Sequence, residues 1–422
     1  MRKIFLFIIV LFPLIVDAQN FIYDGVYYSI KLFTKNVGVA SSNSTKFYKG
    51  YITIPETVVY KDETYTVVSV DNGAFTGSEE LLGVALPNTI TSIGDRAFSG
   101  CNGLTVFVIP QNVSIIGEDA FYGSKNIKEI HIPKSVTSIG CRAFSNLEKL
   151  VLEDGEKPLK LITNYSINDN TPFHICPLVD IYLGRNLDYT NKYAPFRDNT
   201  KLENVVIGDS VSEVGPYLFN GCTGLKEINI SSNLKSIMNY AFSGCSGLTK
   251  IEIPNSVTSI GRDAFSSCTS LTSIEIPSSM TSIGDWAFFG CSGLTLVIVK
   301  LKSPLTIDSS TFSNRANATL YVPKGSKAAY EAADYWKEFK EIVEIDDIIP
   351  GDVNCDGLVN VTDIVATVNY IMDNPSDDFN KDAADLNGDG EINVTDIVKM
   401  VSIIMDGDGA SSHRAVATSD QQ

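Results

Sequence analysis

Residues 253–277 read IPNSVTSIGRDAFSSCTSLTSIEIP, and this stretch contains the pattern that decides the fold. Its phenylalanine, Phe265, has counterparts 23 residues away on each side, at Phe242 and Phe288. The Leu-x-x-Ile-x-Ile part alternates like a strand, so the residue between the two isoleucines faces outward. A 23-residue unit is too short to bury its apolar side chains alone, whereas stacked units align them into columns. The sequence therefore predicts a mainly β solenoid.

The repeat extends over most of the chain. The spacing shifts by six residues once and by one residue at the end, along the series Phe75, Phe98, Phe121, Phe144, Phe173, Phe196, Phe219, Phe242, Phe265, Phe288 and Phe312. We count ten turns, which at about 4.8 Å per stacked strand would make a rod of about 50 Å. Residues 145–200 fit the pattern poorly, and we expect residues 153–170 to form a loop that extends from the solenoid.

Cysteines recur at one position of the repeat. Six of the eight follow the repeat phenylalanine by three residues, at Cys101, Cys176, Cys222, Cys245, Cys268 and Cys291. A stacking step of about 4.8 Å is compatible with disulfide bonds, which an exported protein can form. Parallel side chains in a column do not point at each other, however. The pattern favours a column of buried thiols, which pack like small apolar residues, with disulfides as the alternative.

One outward strand position defines a column across the predicted sheet. Its members are Ala85, Val108, His131, Val151, Tyr182, Val206, Asn229, Glu252, Glu275 and Ile298. Solenoid sheets offer extended binding surfaces, so His131 and Tyr182 are candidate contacts for a peptide or glycan. The alternative is an ordinary half-polar sheet face, because scattered exposed apolar residues are normal.

These repeats resemble the BspA-type leucine-rich repeats of bacterial surface proteins. The resemblance covers residues from about 50 to 322. Residues 20–74, which include FIYDGVYYSI, look like the N-terminal cap of that family, and LYVPKGSKAAYEAADYWKEFKEIVEI (320–345) looks like its C-terminal cap. We expect Tyr330, Trp336 and Phe339 to cover the apolar end of the last turn, as solenoid caps do. The resemblance implies a binding protein that adheres to matrix proteins or other cells.

A different motif occurs twice near the C-terminus. Asp352-Val-Asn-Cys-Asp-Gly-Leu-Val-Asn-Val-Thr-Asp363 and Asp385-Leu-Asn-Gly-Asp-Gly-Glu-Ile-Asn-Val-Thr-Asp396 place oxygen-bearing side chains at loop positions 1, 3, 5, 9 and 12. Ca²⁺ takes six to eight oxygen ligands, and position 7 supplies a backbone carbonyl. The two loops therefore predict two Ca²⁺ sites, with the ligands Asp352, Asn354, Asp356, Leu358, Asn360, Asp363, Asp385, Asn387, Asp389, Glu391, Asn393 and Asp396.

Each loop is followed by an apolar stripe at helical spacing. The stripes are Ile364, Val365, Val368, Ile371 and Met372 in the first copy, and Ile397, Val398, Val401, Ile404 and Met405 in the second. We expect the two helices to pack through these stripes into a small core that calcium staples. No helix is predicted before either loop.

The duplicated loop–helix with Asp at position 12 resembles the type I dockerin over residues 351–407. The resemblance implies two bound Ca²⁺ and docking onto a cohesin domain, with either half able to face the partner. It also implies that loop positions 10 and 11 contact the partner, namely Val361, Thr362, Val394 and Thr395. The alternative is a calcium-stabilised terminal domain without a dedicated partner.

The N-terminal sequence indicates where the protein is located, and the charge indicates which class of partner is excluded. Residues 1–18 have a basic start, an apolar stretch and small residues at Val16 and Ala18, which predicts a signal peptide cleaved before Gln19. No later stretch is long and apolar enough for a membrane span, so we expect a secreted or cell-surface protein. The net charge is −17, and residues 351–410 contain 13 acidic and 2 basic residues. Such a chain has no basic stripe for nucleic acid.

Catalytic motifs are missing from the sequence. The chain has only three histidines, no Cys-x-x-Cys pair and no recognisable nucleophile–base arrangement. We therefore predict a non-enzymatic binding protein. Because dockerins often accompany glycoside hydrolases, the alternative is a non-catalytic subunit of a polysaccharide-degrading complex.

The predicted organisation is a solenoid with a small all-α calcium-binding domain. Its segments are the signal peptide 1–18, the N-terminal cap 19–74, the solenoid 75–319, the C-terminal cap 320–346, a linker 347–350, the dockerin-like domain 351–407 and a polar tail 408–422.

Overall fold

The computed structural model describes residues 20–42, 47–163, 171–173, 175–190, 193–345, 350–354, 359–376 and 379–405. The predicted signal peptide and polar tail lie outside these residues. The chain divides into two compact units. The first contains the described residues up to 274 together with 281–294 and 307–314, and the second contains 275–280, 295–306 and the described residues from 315 onward.

The first strands form a mixed sheet that leads into the repeats. They are β1 (Asn20–Tyr23), β2 (Val26–Ile30), β3 (Asn36–Val39), β4 (Gly50–Thr53), β5 (Thr57–Tyr60) and β6 (Glu63–Val70). β2 lies antiparallel between β1 and β3, and β5 is antiparallel to β6. β6 pairs in parallel both with β3 and with the first short strand of the repeats. This sheet therefore provides hydrogen-bond partners for backbone groups that the first turn of the repeats would otherwise expose.

The repeats contribute two kinds of strand. The longer strands are β7 (Leu81–Ala85), β10 (Glu129–Ile132), β12 (Lys149–Leu152), β14 (Asp180–Leu183), β16 (Asn204–Ile207), β18 (Glu227–Ile230), β21 (Ser273–Ile276) and β23 (Leu296–Val299). The shorter strands are β8 (Ser92–Ile93), β9 (Ile115–Ile116), β11 (Ser138–Ile139), β13 (Leu159–Leu161), β15 (Leu187–Asp188), β17 (Glu213–Val214), β19 (Ser236–Ile237), β20 (Ser259–Ile260) and β22 (Ser282–Ile283). Pairing between successive turns is parallel and in register, as at Ile130↔Leu150 in β10 and β12. This confirms the predicted β solenoid.

A column of phenylalanine rings forms the centre of the first unit. Successive rings stack with centroids 4.9–5.9 Å apart. The described column contains eleven rings from Phe75 to Phe312, and the solenoid has about 12 turns, so the count of ten turns from the sequence is too low. Stacked rings add to the burial of their large apolar area, so the column contributes to the apolar contact between turns.

The glycine of the Ser-Ile-Gly motif is required by a close backbone approach. A Cβ added at Gly284 would lie 2.5 Å from the backbone nitrogen of Arg262, which is in the preceding turn. No side chain can be accommodated there without separating the turns. The spacing of the solenoid thus depends on this residue type.

Strand pairing at the edges of the solenoid extends beyond the bounds expected from the sequence. Residues 153–170 do not form a loop throughout, because β13 (Leu159–Leu161) pairs with both β11 and β15. Residues 164–170 lie outside the described part. β4 pairs in parallel with β7, so repeat-type pairing already begins within the segment assigned to the N-terminal cap. The exact domain boundaries remain predictions.

The second unit contains the segment predicted as the C-terminal cap and a helical region. β23 pairs in parallel with β24 (Thr319–Pro323), which pairs with β25 (Glu341–Ile345). Between these two strands lie α1 (Lys327–Ala332) and a 3-10 turn at Trp336–Glu338. Tyr330 and Trp336 are fully buried, and their polar atoms donate hydrogen bonds of 2.8 Å to the carbonyls of Leu301 and Leu305.

The helical region begins after residue 350. Its elements are α2 (Val361–Ile371), α3 (Lys381–Ala384) and α4 (Val394–Met405). The short helix α3 directly precedes the second loop, where the sequence predicted none. Asn380 explains it, since its side-chain oxygen accepts from the backbone nitrogens of Asp382 and Ala383 and caps the turn.

Candidate functional site

The carboxylate at position 12 ties each predicted calcium loop to the helix that follows it. Asp396 is fully buried. Its Oδ1 accepts from the backbone nitrogens of Leu386 and Asn387 at 3.0 and 3.2 Å, and its Oδ2 accepts from Asn393 at 3.0 Å. One side chain therefore joins the start of the loop, the end of the loop and the first turn of α4.

The remaining side chains of the second loop curl the backbone around its interior. Asp385 accepts from the backbone nitrogens of Gly388 and Gly390, both at 2.8–2.9 Å. Asn387 accepts from the nitrogen of Asp389 at 2.8 Å, and Asp389 accepts from that of Glu391 at 2.8 Å. Gly390, at position 6, has a φ of 82°, a conformation that side chains disfavour. The loop is thus already wound in the form that position 6 was predicted to allow.

The first loop repeats this arrangement where it is described. Asp363 is fully buried and accepts from Val353, Asn354 and Asn360 at 3.0, 3.3 and 2.8 Å. The Asn354 amide also donates to Thr362 Oγ1 at 3.0 Å, as Asn387 does to Thr395 at 2.8 Å. The predicted ligands Asp356 and Leu358 lie outside the described residues. The two loops therefore share the same hydrogen-bond arrangement where both are described.

The donors of the second loop fit a calcium ion by their chemistry. Three carboxylates (Asp385, Asp389 and Asp396) and two amides (Asn387 and Asn393) belong to one loop. With the carbonyl of Glu391 these are hard oxygen donors, which suit Ca²⁺ and not a soft metal. Among the described residues, no group of three or more acidic, His or Cys side chains is close enough to form a metal cluster.

The core of the helical region differs from the predicted one. Its buried apolar members are Val353, Val359, Ala383, Ala384 and Met400, with Ile364, Leu386, Ile392, Ile403 and Ile404 packed against them. Most of the predicted stripe faces outward instead, and Val365 and Val398 are 53% and 61% exposed. The reason lies in Asp363 and Asp396, which must face their own loops. A residue two positions further along the helix points about 200° away.

The exposed apolar side chains of the two helices and of Met372 are together called the helix face. Its members are Val361, Val365, Val368 and Ile371 on α2, Met372 directly after α2, and Val394, Val398 and Met405 on α4. Exposed apolar patches of this kind mark interaction sites. Sequence reasoning placed most of these residues in the core, and only Val361 and Val394 among the partner contacts. Their exposure could have been predicted from the positions of Asp363 and Asp396, because these residues face the loops and thereby orient each helix.

The four residues at loop positions 10 and 11 are exposed but differ in their availability. Val361 and Val394 belong to the helix face. Thr362 and Thr395 instead donate their hydroxyl hydrogens to Asn360 and Asn393 at 2.8 Å. Each threonine also accepts from an asparagine of its loop. The valines are therefore free for a partner, whereas the threonine hydroxyls already make two hydrogen bonds within the loop.

The outward strand column has the predicted order in the described sheet. His131, Val151, Tyr182, Val206 and Asn229 are cross-strand neighbours in that sequence. His131 Nε2 lies 3.0 Å from Glu129 Oε1, and Lys149 also contacts Glu129 and lowers the pKa of that carboxyl. The Tyr182 hydroxyl donates to Asp154 Oδ2 at 2.8 Å, which raises the pKa of Tyr182 to about 12. Val151 separates the two predicted contact residues, and both already have polar partners.

The cysteines form the predicted column of buried thiols. The seven described cysteines are buried and free. In five turns the thiol donates to the carbonyl of the phenylalanine in the preceding turn at 3.1–3.2 Å, as Cys245 does to Phe219. Burial raises the pKa of Cys222 and Cys291 to about 12. The column therefore belongs to the core rather than to a reactive site.

Comparison with known proteins agrees with the repeat geometry. The family model for the BspA type Leucine rich repeat region matches six copies, over residues 51–172 and 190–319. These residues are more than half of the chain. The chain belongs to the BspA-type leucine-rich repeat family. The model for the Dockerin type I domain matches residues 350–404 of this BspA-type protein, which contain the two loops and their helices.

Several solved structures of bacterial leucine-rich repeat proteins are similar to this BspA-type protein. One from Bacteroides ovatus is 23% identical, covers 72% of this chain and 100% of its own, and has a TM-score of 0.30. The pneumococcal vaccine antigen PcpA is 18% identical, with coverages of 78% and 99% and a TM-score of 0.34. The leucine-rich repeat protein of T. pallidum is 24% identical, with coverages of 52% and 86% and a TM-score of 0.34. No curated protein matches, so the family assignment rests on the repeat model.

Proteins of the BspA-type and dockerin families are typically extracellular or on the cell surface. The described helices of this BspA-type protein include none with the length and apolar character needed to cross a bilayer.

Proposed function

We propose that this is an exported, non-catalytic binding protein with two working parts. The solenoid contacts an extracellular protein or glycan ligand. The dockerin module, residues 351–407, docks in a calcium-dependent manner onto a cohesin-type or envelope protein. This arrangement places a repeat surface outside the cell and attaches it to a larger assembly.

The helix face is the observation that carries the docking half of the proposal. Eight apolar side chains of one small module are exposed, and six of them are equivalent pairs of the two copies, namely Val361 and Val394, Val365 and Val398, and Met372 and Met405. Exposing them to water is unfavourable in a module whose own core is small. Covering them by a partner removes this cost, which is the usual reason for such a patch.

Calcium has a structural role in this proposal, and we assign one ion to each loop. A bound Ca²⁺ supplies positive charge at the loop and joins its oxygen ligands. Hydrogen bonds within the chain hold the shape of each loop, since Asp363 and Asp396 connect the loops to α2 and α4. Because each helix starts at its loop, the orientation of the helix face depends on loop order. Docking is therefore expected to require calcium.

A binding experiment on the full chain tests this function. The wild-type protein is passed over immobilised, purified cohesin domains, and over envelope proteins of the producing organism, in Ca²⁺ and in EDTA. We expect retention in Ca²⁺ only. The double variant V365D/V398D should lose at least tenfold in affinity, because two charges would be buried against the partner.

The matched control is V59D, since Val59 on β5 is 53% exposed and lies outside the module. It should bind like wild type. Equal retention in EDTA contradicts calcium-dependent docking. Turnover of plant or host glycans by the purified chain contradicts the non-catalytic assignment.

A further inference from the structure

A second surface lies on the tight turns that precede each phenylalanine of the column. The residue two positions before the phenylalanine has a left-handed backbone in several turns, with φ of 60° at Tyr217, 60° at Tyr240 and 55° at Trp286. Glycine adopts this conformation at no steric cost, whereas a large side chain is disfavoured. Three aromatic residues nevertheless occupy it. Four other turns share this left-handed position without an aromatic residue, so the repeat requires the conformation and the large rings are the distinctive feature.

The rings differ in how much of their surface is covered. Tyr217 and Tyr240 stack on each other with centroids 4.6 Å apart. Trp286 has the Arg262 guanidinium 4.1 Å from its ring centroid. Phe289, three residues after Trp286, is 46% exposed. In the described part of the chain, no other aromatic ring stacks on Trp286 or Phe289. We call these two residues the aromatic shelf.

The next turn has small side chains at the positions equivalent to the aromatic shelf, and we call these two serines the serine step. The residues equivalent to Trp286 and Phe289 in that turn are Ser310 and Ser313, which are much smaller. Ser310 Oγ accepts from the Trp286 backbone nitrogen at 3.1 Å, and Ser313 Oγ accepts from that of Gly290 at 2.8 Å. These bonds fix the relation of the two turns. Two large rings are therefore followed by two serines, which leaves room beside the rings.

The rim of the shelf is polar and more acidic than basic. Asp308 Oδ1 accepts from the backbone nitrogen and the hydroxyl of Ser310 at 2.9 and 2.6 Å. Asp285 is exposed next to Trp286. Arg262, the cation at the shelf, lies 3.3 Å from Asp263 and is thereby neutralised. An anionic ligand would be repelled here, whereas the carboxylates can accept hydrogen bonds from a ligand with many hydroxyl groups.

We propose that the aromatic shelf binds the sugar rings of a neutral polysaccharide. A pyranose ring has an apolar face of C–H groups, which fits against the indole face that Arg262 does not cover, and a rim of hydroxyls, which can donate hydrogen bonds to Asp285 and Asp308. A protein partner is disfavoured, because binding hot spots need surrounding contacts that exclude water, and this rim is exposed and polar. The inference rests on the proposed ligand-binding role of the solenoid and names the class of ligand and its place.

The test uses the full chain with soluble mannan, xylan and mixed-linkage β-glucan as probes. The chain has two tryptophans, and Trp336 is fully buried. Acrylamide quenching of the fluorescence therefore reports on Trp286, and we expect saturable protection by at least one probe. Affinity electrophoresis in gels containing that polysaccharide then compares variants.

The variant W286S/F289S copies the serines of the next turn, so the fold should accept it. We expect its affinity to fall at least tenfold. The matched control is Y122S, because Tyr122 has the position of Phe289 in an earlier turn and is 42% exposed. It should bind like wild type. If circular dichroism shows that the double variant unfolds, F289S alone serves, with an expected loss of at least threefold.

Three results would overturn the inference. They are no binding of wild type to any neutral probe, unchanged binding by the folded shelf variant, and tighter binding of polygalacturonate than of neutral probes. A protein ligand that is lost with W286S/F289S while no polysaccharide binds would assign the shelf to protein recognition and also overturn it. Calcium-dependent retention by a cohesin is measured on the same samples, so a failure of the shelf is distinguishable from a failure of docking.

Discussion

At the scale of single residues, the acid at position 12 does more than the sequence pattern assigns to it. Asp396 was predicted as a calcium ligand, and in the structure it accepts three backbone hydrogen bonds in the interior of the module. A carboxylate has about four lone-pair sites, so it can accept these bonds and still offer an oxygen to a cation. The same residue therefore connects the loop, the helix and the proposed ion.

Replacing Asp396 tests this double role. D396N keeps one oxygen but turns an N–H₂ group toward backbone N–H donors, which leaves buried donors without a partner. We expect a loss of about 1–3 kcal/mol in the stability of the module, together with weaker calcium binding. Helix content followed by circular dichroism against temperature, in Ca²⁺ and in EDTA, measures the first effect. D373N removes the same charge from an exposed position and should change neither.

The thiol of Cys245 permits another single-residue test. Ser124 occupies the equivalent position in another turn and donates to the Phe98 carbonyl at 2.6 Å, just as Cys245 donates to Phe219. C245S should therefore change the stability by less than about 1 kcal/mol, whereas C245L should cost about 1–3 kcal/mol through overpacking. Urea unfolding compares the two. Equal losses would contradict the hydrogen-bonding role of the position.

At the scale of elements, local periodicity was a good guide to which segments form helices and a poor guide to which side faces the core. The sequence predicted amphipathic helices at α2 and α4, and both are present. Most of the stripe faces outward instead of toward the core, because Asp363 and Asp396 fix the orientation of each helix, and only members such as Ile364 and Ile404 pack against the core. In the solenoid strands, alternate residues lie on opposite faces, so only two orientations are possible. The phenylalanine column determines which of the two faces is buried.

The cysteine column makes the stability of the solenoid depend on pH. Burial raises the pKa of Cys222 and Cys291 to about 12 and raises those of Cys245 and Cys268 well above the ordinary value. In the unfolded chain these thiols ionise near about pH 8.5. Above that pH the unfolded state loses protons that the folded state retains, so stability falls as pH rises.

We expect the loss between about pH 8.5 and 10 to approach about 1.4 kcal/mol per pH unit for each such thiol. Urea unfolding at several pH values measures the slope. The double variant C245S/C268S should have a smaller slope than wild type. An identical slope in both proteins would show that other groups cause the dependence.

At the scale of the whole molecule, the chain combines two kinds of stability. The solenoid is held by stacked apolar columns and in-register strands that need no ligand. The module has a small core with an exposed helix face, and its loops are proposed to bind ions. A ligand that binds only the folded state stabilises that state, so calcium is expected to act on one part of the molecule.

Limited proteolysis with and without EDTA tests this division. We expect residues 351–407 to be cleaved rapidly once calcium is removed, while the solenoid stays resistant. Mass spectrometry of the fragments identifies the sites. Equal resistance of both parts in EDTA would contradict the assignment of two calcium ions to the module.

The sequence by itself determined the repeat, the burial of the phenylalanine and cysteine columns, and the identity of the two loops. The repeat and its columns follow from the 23-residue spacing, because stacking a regular unit repeats the same contact in every turn. The loops follow from the spacing of their oxygen-bearing residues. Tertiary structure decided which way the helices of the module face, that residues 159–161 join a sheet, and that Trp286 and Phe289 lie above a serine step. These depend on contacts between residues far apart in the chain, such as a carboxylate and backbone amides nine or ten residues before it, and no local period encodes them.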